Sequence, residues 1–200
     1  MADAGFAATI FAERGVAEKV TLGIDGFFDH TSDALTGTVF ARYTFFTEDS
    51  HVWAVSAGLG GEYRVDERLL QLVDDGPILS VDHRRAGAFV RLGAHYGRGL
   101  ESGWFAADLS YAVGRAISLD DPPLPSETLA RAKLDLTYGR RLREPLTAIG
   151  QLFFEDYDGD TSVSAQIGAG YEFSGFTIDT ALRQCSGGDT TVKIGVSCSF

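Results

Sequence analysis

The chain has little proline, little cysteine and no long apolar run. Its 200 residues include five prolines, two cysteines and one methionine, at position 1. No window approaches the roughly 18 uninterrupted apolar residues of a membrane-spanning helix. A transmembrane helix is therefore excluded. A membrane span made of strands is not, because strands with alternating faces average to neutral hydropathy, and the mean hydropathy is zero.

Positive charge is also scarce. Lysine and arginine number 17 against 28 acidic residues, which gives a net charge of −11. Such an excess of negative charge repels phosphate backbones, so a nucleic-acid partner is not expected.

Strict alternation is what the chain has in abundance, together with 24 glycines and 12% aromatic residues. The last segment, residues 190–200, shows it most clearly. One face carries Val192, Ile194, Val196, Cys198 and Phe200, and the other carries Lys193, Gly195, Ser197 and Ser199. A period of two predicts a β-strand with one apolar face.

The same alternation recurs upstream and predicts ten strands from about Lys19 onward. Their cores lie at residues 20–28, 39–45, 53–63, 86–96, 105–113, 130–138, 146–154, 163–173, 176–185 and 192–200. A two-residue turn at Ser174-Gly175 pairs Phe173 with Phe176, which sets apolar against apolar. Short connections at residues 47–50, 98–102, 143–145 and 174–175 alternate with mostly longer ones, which is the asymmetry of periplasmic turns and external loops.

The fold class predicted is all-β, a transmembrane antiparallel β-barrel of about ten strands, with twelve as the alternative. Residues 18–200 would form the barrel. Single-chain bacterial barrels normally have even strand counts, so residues 1–17 are interpreted as a periplasmic arm, a plug in the lumen, or the remnant of a twelve-stranded barrel that lacks its first strand.

The two arms around Asp75-Gly76 are about twice as long as the ~9–11 residues that cross a bilayer. The surplus, residues 66–85, predicts a long external hairpin. Its apolar side chains favour contact with a protein partner over free solvation: Leu69, Leu70, Leu72, Val73, Ile78, Leu79 and Val81.

Aromatic residues cluster beside the short turns and predict a belt at one membrane interface. The belt would contain Tyr43, Phe45, Trp53, Tyr96, Trp104, Phe105, Tyr171, Phe173, Phe176 and Phe200.

The segment Val192–Phe200 resembles the C-terminal signal of bacterial outer-membrane barrel proteins, which their assembly machinery recognises. Val192, Ile194, Val196 and Phe200 carry this assembly signal. The resemblance implies location in the outer membrane of a Gram-negative cell, and contact with lipid, lipopolysaccharide and the barrel-assembly machinery. Residues 1–4 lack the basic start and apolar core of an export signal, so we expect that the signal was removed before position 1 or that the start is misassigned.

Charged residues of both signs fall on the polar faces of the predicted strands. They are Arg42, Glu62, Arg64, Arg91, Asp108, Arg131, Lys133, Asp135, Asp179 and Arg183. Mixed signs favour a lumen closed by paired side chains and a structural or surface-interaction role. The alternative is a small anion-preferring pore or porin, in which the positively charged residues of this set would select the anions.

No enzymatic activity is expected, although one motif points to a third hypothesis. His30-Thr31-Ser32 is similar to the His-x-Ser element of lipid A deacylases, which implies a lipid A-modifying hydrolase with His30 and Ser32 as catalytic residues. In that family the serine is followed by asparagine and lies late in the chain. Here Asp33 follows it, early in the chain, where the pattern indicates a turn.

No cofactor is expected. Asp156, Asp158 and Asp160 are spaced like the start of a calcium loop, but the glycine precedes the third carboxylate and the distant glutamate is absent. They are the candidate metal ligands. A solvated turn is the simpler interpretation.

Two further alternatives concern the faces of the strands. Parity places Cys185 and Cys198 on opposite faces, which argues against a disulfide. A soluble barrel that binds an apolar ligand would reverse the polarity, with Val192, Ile194 and Val196 pointing inward.

Overall fold

The computed structural model describes residues 7–29, 33–71, 78–120, 126–157, 159–173, 176–188 and 190–198. Within these ranges the side chains of residues 7, 29, 66–71, 78–82, 176, 193 and 195–198 are not described.

Eleven strands form one sheet in which each strand neighbours the next along the chain. They are β1 (Ala7–Ala17), β2 (Val20–Asp29), β3 (Ala34–Glu48), β4 (His51–Gln71), β5 (Ile78–Leu100), β6 (Gly103–Ser118), β7 (Glu127–Arg143), β8 (Leu146–Tyr157), β9 (Asp160–Phe173), β10 (Phe176–Cys185) and β11 (Thr190–Cys198). The pairs β1–β2, β2–β3 and those from β7 to β11 are antiparallel.

The alternation of the sequence becomes an alternation of burial. On β9 the side chain of Ile167 is 70% exposed, whereas Ser164 is 5% exposed. Successive side chains of a strand point to opposite faces, so each strand presents one apolar face and one polar face. In this protein the apolar face is the exposed one.

The registers between neighbouring strands are consistent with the assignment of side chains to the two faces. Phe173 pairs with Phe176 and Ile178 with Tyr171, as the two-residue turn predicted. In the last hairpin, Thr180 pairs with Ile194 on the same face. A slip of one residue would move every apolar side chain to the polar face, which fixes the register.

Short connections join β3 to β4, β5 to β6 and β7 to β8, at residues 49–50, 101–102 and 144–145. Asp49 adopts a left-handed φ of 50°, a conformation that aspartate tolerates better than most residues. These three turns lie where the sequence predicted short connections.

Residues 7–17 correct the expected boundaries. They form β1, which pairs along its length with β2 through Ala12 opposite Ile24 and Arg14 opposite Leu22, and so they are neither a separate arm nor a plug. The described residues thus contain eleven strands where ten were expected. The rule of even strand counts, and not the residues themselves, argued against a strand here.

Burial is inverted relative to a soluble domain. Among the described residues the buried apolar set is small: Ala34, Phe40, Ala54, Ala116, Leu129 and Phe153. Large apolar side chains are exposed on strand after strand, and Val192 and Ile194 are 70% and 75% exposed. The reversed polarity of a soluble, ligand-binding barrel is therefore wrong.

The chain divides into two compact units. The first comprises Met1–Tyr43, Ser56–Leu92 and Ala112–Ala130, and the second comprises Thr44–Val55, Gly93–Tyr111 and Arg131–Phe200. In the part of the chain that the structure describes, no helix is long and apolar enough to cross a membrane.

Candidate functional site

The polar face carries the charged residues that the sequence singled out. The structure places all ten on this face, and each of them is half-buried. They are Arg42, Glu62, Arg64, Arg91, Asp108, Arg131, Lys133, Asp135, Asp179 and Arg183.

In the first unit, two arginines enclose one aromatic ring. Phe40 is buried, and the guanidinium carbons of Arg42 and Arg91 lie 5.6 and 5.5 Å from its centroid. Each guanidinium also has a carboxylate partner: Arg42 Nη1 lies 2.8 Å from Glu13 Oε1, and Arg91 Nη1 donates to Asp25 Oδ2 at 2.7 Å. Cation–π contact and ion pairing therefore stabilise the same two cations.

The Arg91–Asp25 pair also shows that the sheet of this unit is curved. Asp25 lies on β2 and Arg91 on β5, three strands away in the sheet. A flat sheet would hold these strands about 14 Å apart. A direct hydrogen bond between the two side chains thus requires that the polar face of this unit be concave.

Glycines make room for rings on the polar face. A Cβ on Gly23 would lie 2.3 Å from Phe40 Cζ, and one on Gly60 would lie 2.3 Å from Phe89 Cζ. In the second unit, Trp104 covers Gly139 in the same way, since a Cβ there would lie 2.3 Å from Trp104 Cζ2. Each of these rings therefore packs directly against the backbone of a glycine.

The second unit has its own charged cluster. Lys133 Nζ lies 2.9 Å from Asp135 Oδ2, and Arg131 Nε lies 3.6 Å from Glu155 Oε1. The buried ring of Phe153 lies 5.6 Å from Lys133 Nζ and 4.5 Å from the Arg183 guanidinium carbon. Here too, cations pair with carboxylates and pack on an aromatic ring.

Neutral hydrogen bonds and one histidine extend the second cluster. Gln166 Nε2 donates to Gln151 Oε1 at 2.8 Å, and Gln151 Nε2 donates to Thr137 Oγ1 at 3.1 Å. His95 Nδ1 lies 2.6 Å from Asp108 Oδ1. The glutamine and threonine side chains thus form a polar network across β7, β8 and β9.

One further ion pair lies where β5 begins, outside the sequence-predicted set. His83 is buried and contacts the carboxylate of Asp120, which also accepts from the Arg84 backbone N–H at 3.3 Å. The hydrogen bond from His83 is the main reason that the pKa of Asp120 lies below its ordinary value. Leu119 N donates to Arg84 O at 2.9 Å, so the segment after β6 is fastened to β5.

The enzymatic and metal candidates are only partly described. His30 and Ser32 lie outside the described residues, between the end of β2 and the start of β3. Asp158 also lies outside them, while Asp156 accepts a hydrogen bond from Thr161 Oγ1 at 3.1 Å. Among the described residues no group of three metal-binding side chains occurs. Both hypotheses stay predictions.

Of the assembly signal, Val192 and Ile194 lie on the apolar face of β11, while Phe200 and the side chain of Val196 lie outside the described part of the chain. The register places Cys198 opposite Phe176, at the far end of β10 from Cys185. Nine residues of strand separate the two levels by about 30 Å, well beyond disulfide reach. Cys185 is a free thiol.

Sequence analysis missed the rings of the polar face. Trp104 was assigned to the aromatic belt, but it packs over Gly139 on the polar face. Phe40 likewise stands between the exposed Val39 and Ala41. A usable signal was present, because both rings oppose glycines, Gly23 and Gly139, on the neighbouring strand.

Comparison with protein-family models and with curated proteins finds no match for the chain. Solved structures do match. The translocator domain of the autotransporter NalP from Neisseria meningitidis is similar with a TM-score of 0.60 at 16% identity, over 98% of this chain and 80% of that one. The β domain of the Bordetella autotransporter BrkA is similar with a TM-score of 0.55 at 15% identity, over 98% of this chain and 91% of that one. At the level of fold, these likenesses confirm the predicted all-β antiparallel architecture.

Proposed function

We propose that the chain is an integral outer-membrane β-barrel whose apolar face contacts lipid and whose polar face lines a filled interior. One observation carries this proposal: large apolar side chains are exposed along the strands while charged ones are half-buried opposite them. Water-soluble monomers rarely expose apolar patches larger than a few hundred Å². Barrels in lipid have this inverted pattern.

The proposed interior is closed by side chains. Arg64, Arg91, Arg131 and Lys133 would select anions in a pore. Of these, Arg91, Arg131 and Lys133 each have a carboxylate partner within 4 Å. Paired cations offer a passing anion little net charge. Rings such as Phe40 and Phe153 occupy further space between them. The pairing favours a closed barrel over a porin.

The ends of β4 and β5 would stand outside the membrane. These strands have 21 and 23 residues, whereas about 9–11 cross a bilayer. If the short turns face the periplasm, the surplus residues 66–71 and 78–85 of these strands would extend on the external side; residues 72–77, at the centre of the predicted hairpin, lie outside the described part of the chain. A structural role with surface contact at this hairpin is the function we favour, with assembly directed by the C-terminal strand.

Closure of the barrel would require an even number of strands. In an alternating antiparallel order, β1 and β11 run in the same direction, so direct pairing between them would be parallel. A twelfth strand between their free edges would restore antiparallel pairing on both sides. This is the twelve-stranded alternative, now favoured by the observed β1.

A second candidate is translocation of an attached polypeptide. It is favoured by the likeness to two autotransporter domains, one of them a translocator domain, over 98% of this chain. Ala7 lies opposite Asp29, at the end of β1 away from the turn at residues 18–19. With that turn in the periplasm, a polypeptide that leads outward from residue 7 without crossing the membrane again would emerge at the cell surface.

Two measurements on the purified full chain test the proposal. We expect it to stay monodisperse only in detergent or lipid, and to show no stable single-channel steps in planar bilayers. A stable, detergent-free monomer would overturn the membrane assignment. Regular conductance steps would instead overturn the closed interior and support the pore.

A further inference from the structure

Two arginines break the apolar face at the short-turn end of β5 and β7. Arg98 continues the alternate positions of Leu92, Ala94 and Tyr96 on β5, and Arg140 continues those of Leu136 and Tyr138 on β7. Both are exposed. Their positions therefore place two cations on the surface that the proposed function assigns to lipid.

β6 lies between β5 and β7, and its first residue, Gly103, has no side chain on the apolar face. β5 ends at Leu100 and β6 begins at Gly103, across the turn at residues 101–102. Arg141 N donates to Ser102 O at 2.7 Å, and a Cβ on Gly103 would lie 3.0 Å from Arg140 Cα. Gly103 thus sits beside Arg140 and carries no side chain to fill the space toward β5.

The spacing suits one group held by both guanidinium groups. Strands two apart in a sheet are separated by about 10 Å. The turn at residues 101–102 sets Leu100 beside Gly103, so Arg98 lies about 7 Å farther along its strand than Arg140. Guanidinium groups bind phosphate oxygens with two parallel hydrogen bonds. A phosphodiester lying over β6 between the two arginines could accept from both.

Aromatic residues surround this part of the apolar face. The rings of Trp53 and Tyr96 lie 4.6 Å apart, and those of Tyr96 and Phe105 lie 6.3 Å apart. His51 Nδ1 lies 2.9 Å from the Tyr96 hydroxyl oxygen. Such amphipathic rings are enriched at the headgroup level of a membrane, which sets the depth of the two arginines.

Local charge has the sign that an anion needs. Among the residues that the structure describes, no carboxylate forms an ion pair with Arg98 or Arg140. The carboxylates nearest to them, Glu48, Asp49, Glu101 and Glu144, lie in or beside the turns, so Arg98 and Arg140 are the charged side chains of this part of the apolar face.

We propose that Arg98 and Arg140, on the strands to either side of β6, form a binding site for the phosphate headgroup of an anionic phospholipid in the leaflet on the short-turn side. This inference rests on the proposed function, because it requires the apolar face to meet lipid. The occupant is a lipid rather than free phosphate, since the arginines stand in an aromatic, apolar surround where acyl chains would add contact.

Native mass spectrometry of the detergent-purified full chain tests the site. The probes are phosphatidylglycerol and the zwitterionic phosphatidylethanolamine, in the presence and absence of millimolar inorganic phosphate. We expect phosphatidylglycerol to be retained more strongly, and the double variant R98Q/R140Q to bind it about tenfold more weakly. Inorganic phosphate should not displace it; displacement would show that the site takes free phosphate and would overturn the lipid assignment.

R14Q is the matched control. Arg14 also lies on the apolar face, three residues from the end of its strand, but the apolar face of β3, two strands away, carries Ala41 at this level and no second arginine. Its loss should leave the phosphatidylglycerol affinity unchanged. Equal loss in R14Q and R98Q/R140Q would overturn the site, as would equal retention of the two lipids by the natural sequence.

Failure of the site and failure of the membrane assignment are separable. Each variant is also folded into vesicles of phosphatidylcholine, which carries no net charge, and insertion is followed by tryptophan fluorescence. Insertion without phosphatidylglycerol preference would refute the lipid site alone. Absence of insertion would refute the proposed function as well.

Discussion

At the scale of single residues, the aromatic rings of the polar face make two kinds of contact at once, one with glycine backbone and one with cations. Aromatic rings such as Phe40 pack over glycine on one strand and against guanidinium groups on others. The ring excludes water from the cation, and the cation's carboxylate partner balances its charge. Neither contact alone would satisfy a half-buried arginine.

The Trp104–Gly139 contact predicts a steric penalty. We expect G139A to lower the free energy of unfolding by about 1–3 kcal/mol, because the new methyl group meets the indole ring. G150A is the matched control: Gly150 lies on the neighbouring strand, one residue from the partner of Gly139, and a methyl group there would have no neighbour within 4 Å. Urea unfolding in lipid vesicles measures both.

A double-mutant cycle identifies the cause of that penalty. In a W104A background, G139A should lose most of its effect, which gives a coupling energy between the two positions. Equal penalties in both backgrounds would show that the ring is not responsible.

The Arg91–Asp25 pair predicts a second residue-scale effect. D25N removes the negative charge beside the half-buried Arg91 guanidinium and leaves only a neutral amide acceptor, and we expect it to lower the free energy of unfolding by about 1–2 kcal/mol. This value lies below the ~3–5 kcal/mol of fully buried pairs, because the two side chains keep 25% and 32% of their exposure. E101Q, in an exposed turn, should change stability by less than about 0.5 kcal/mol. Urea unfolding in vesicles compares the two, and equal effects would contradict a stabilising pair.

At the scale of elements, strand faces were predictable and partners across the sheet were not. Period-two alternation is a local property, so residues 163–173 disclosed which side chains share a face. The joining of Asp25 to Arg91 depends on how the sheet curves, which no local pattern encodes. For the same reason, sequence analysis grouped the charges correctly by strand face but did not pair them.

The contact between β5 and the segment after β6 predicts a pH effect. The pKa of Asp120 is lowered chiefly by its hydrogen bond with His83, so the contact is fully present above the unfolded-state pKa of about 3.9. It is lost as the pH falls through the lower, folded-state value. Hydrogen exchange at the Leu119 amide, which donates to Arg84 O, should then lose its protection, so that its rate rises toward the intrinsic rate of an unprotected amide at the same pH.

D120N supplies the control for that experiment. Without the carboxylate, Leu119 should exchange quickly at every pH, with no acid-dependent step. An acid-dependent step that persists in D120N would assign the effect to another group.

At the scale of the whole molecule, the class of fold followed from the sequence, but the strand count did not. The terminal strand and the recurring alternation predicted an outer-membrane type of sheet, and the similarity to two autotransporter domains agrees at the level of fold. The sequence of residues 5–13 is compatible with an eleventh strand, and most of this segment lies in β1. The rule of even strand counts argued against an eleventh strand. A barrel of twelve strands would contain β1 and still satisfy that rule.

The central claim is that the apolar face of the sheet meets lipid. Single cysteines at positions 163–171 of β9, in a C185S/C198S background, would carry a fluorophore in vesicles that contain brominated lipid. We predict strong quenching at Val163, Ala165, Ile167, Ala169 and Tyr171, and weak quenching at the positions between them. Quenching at the intervening positions instead, or at none of the nine, would contradict the assignment of this face to lipid.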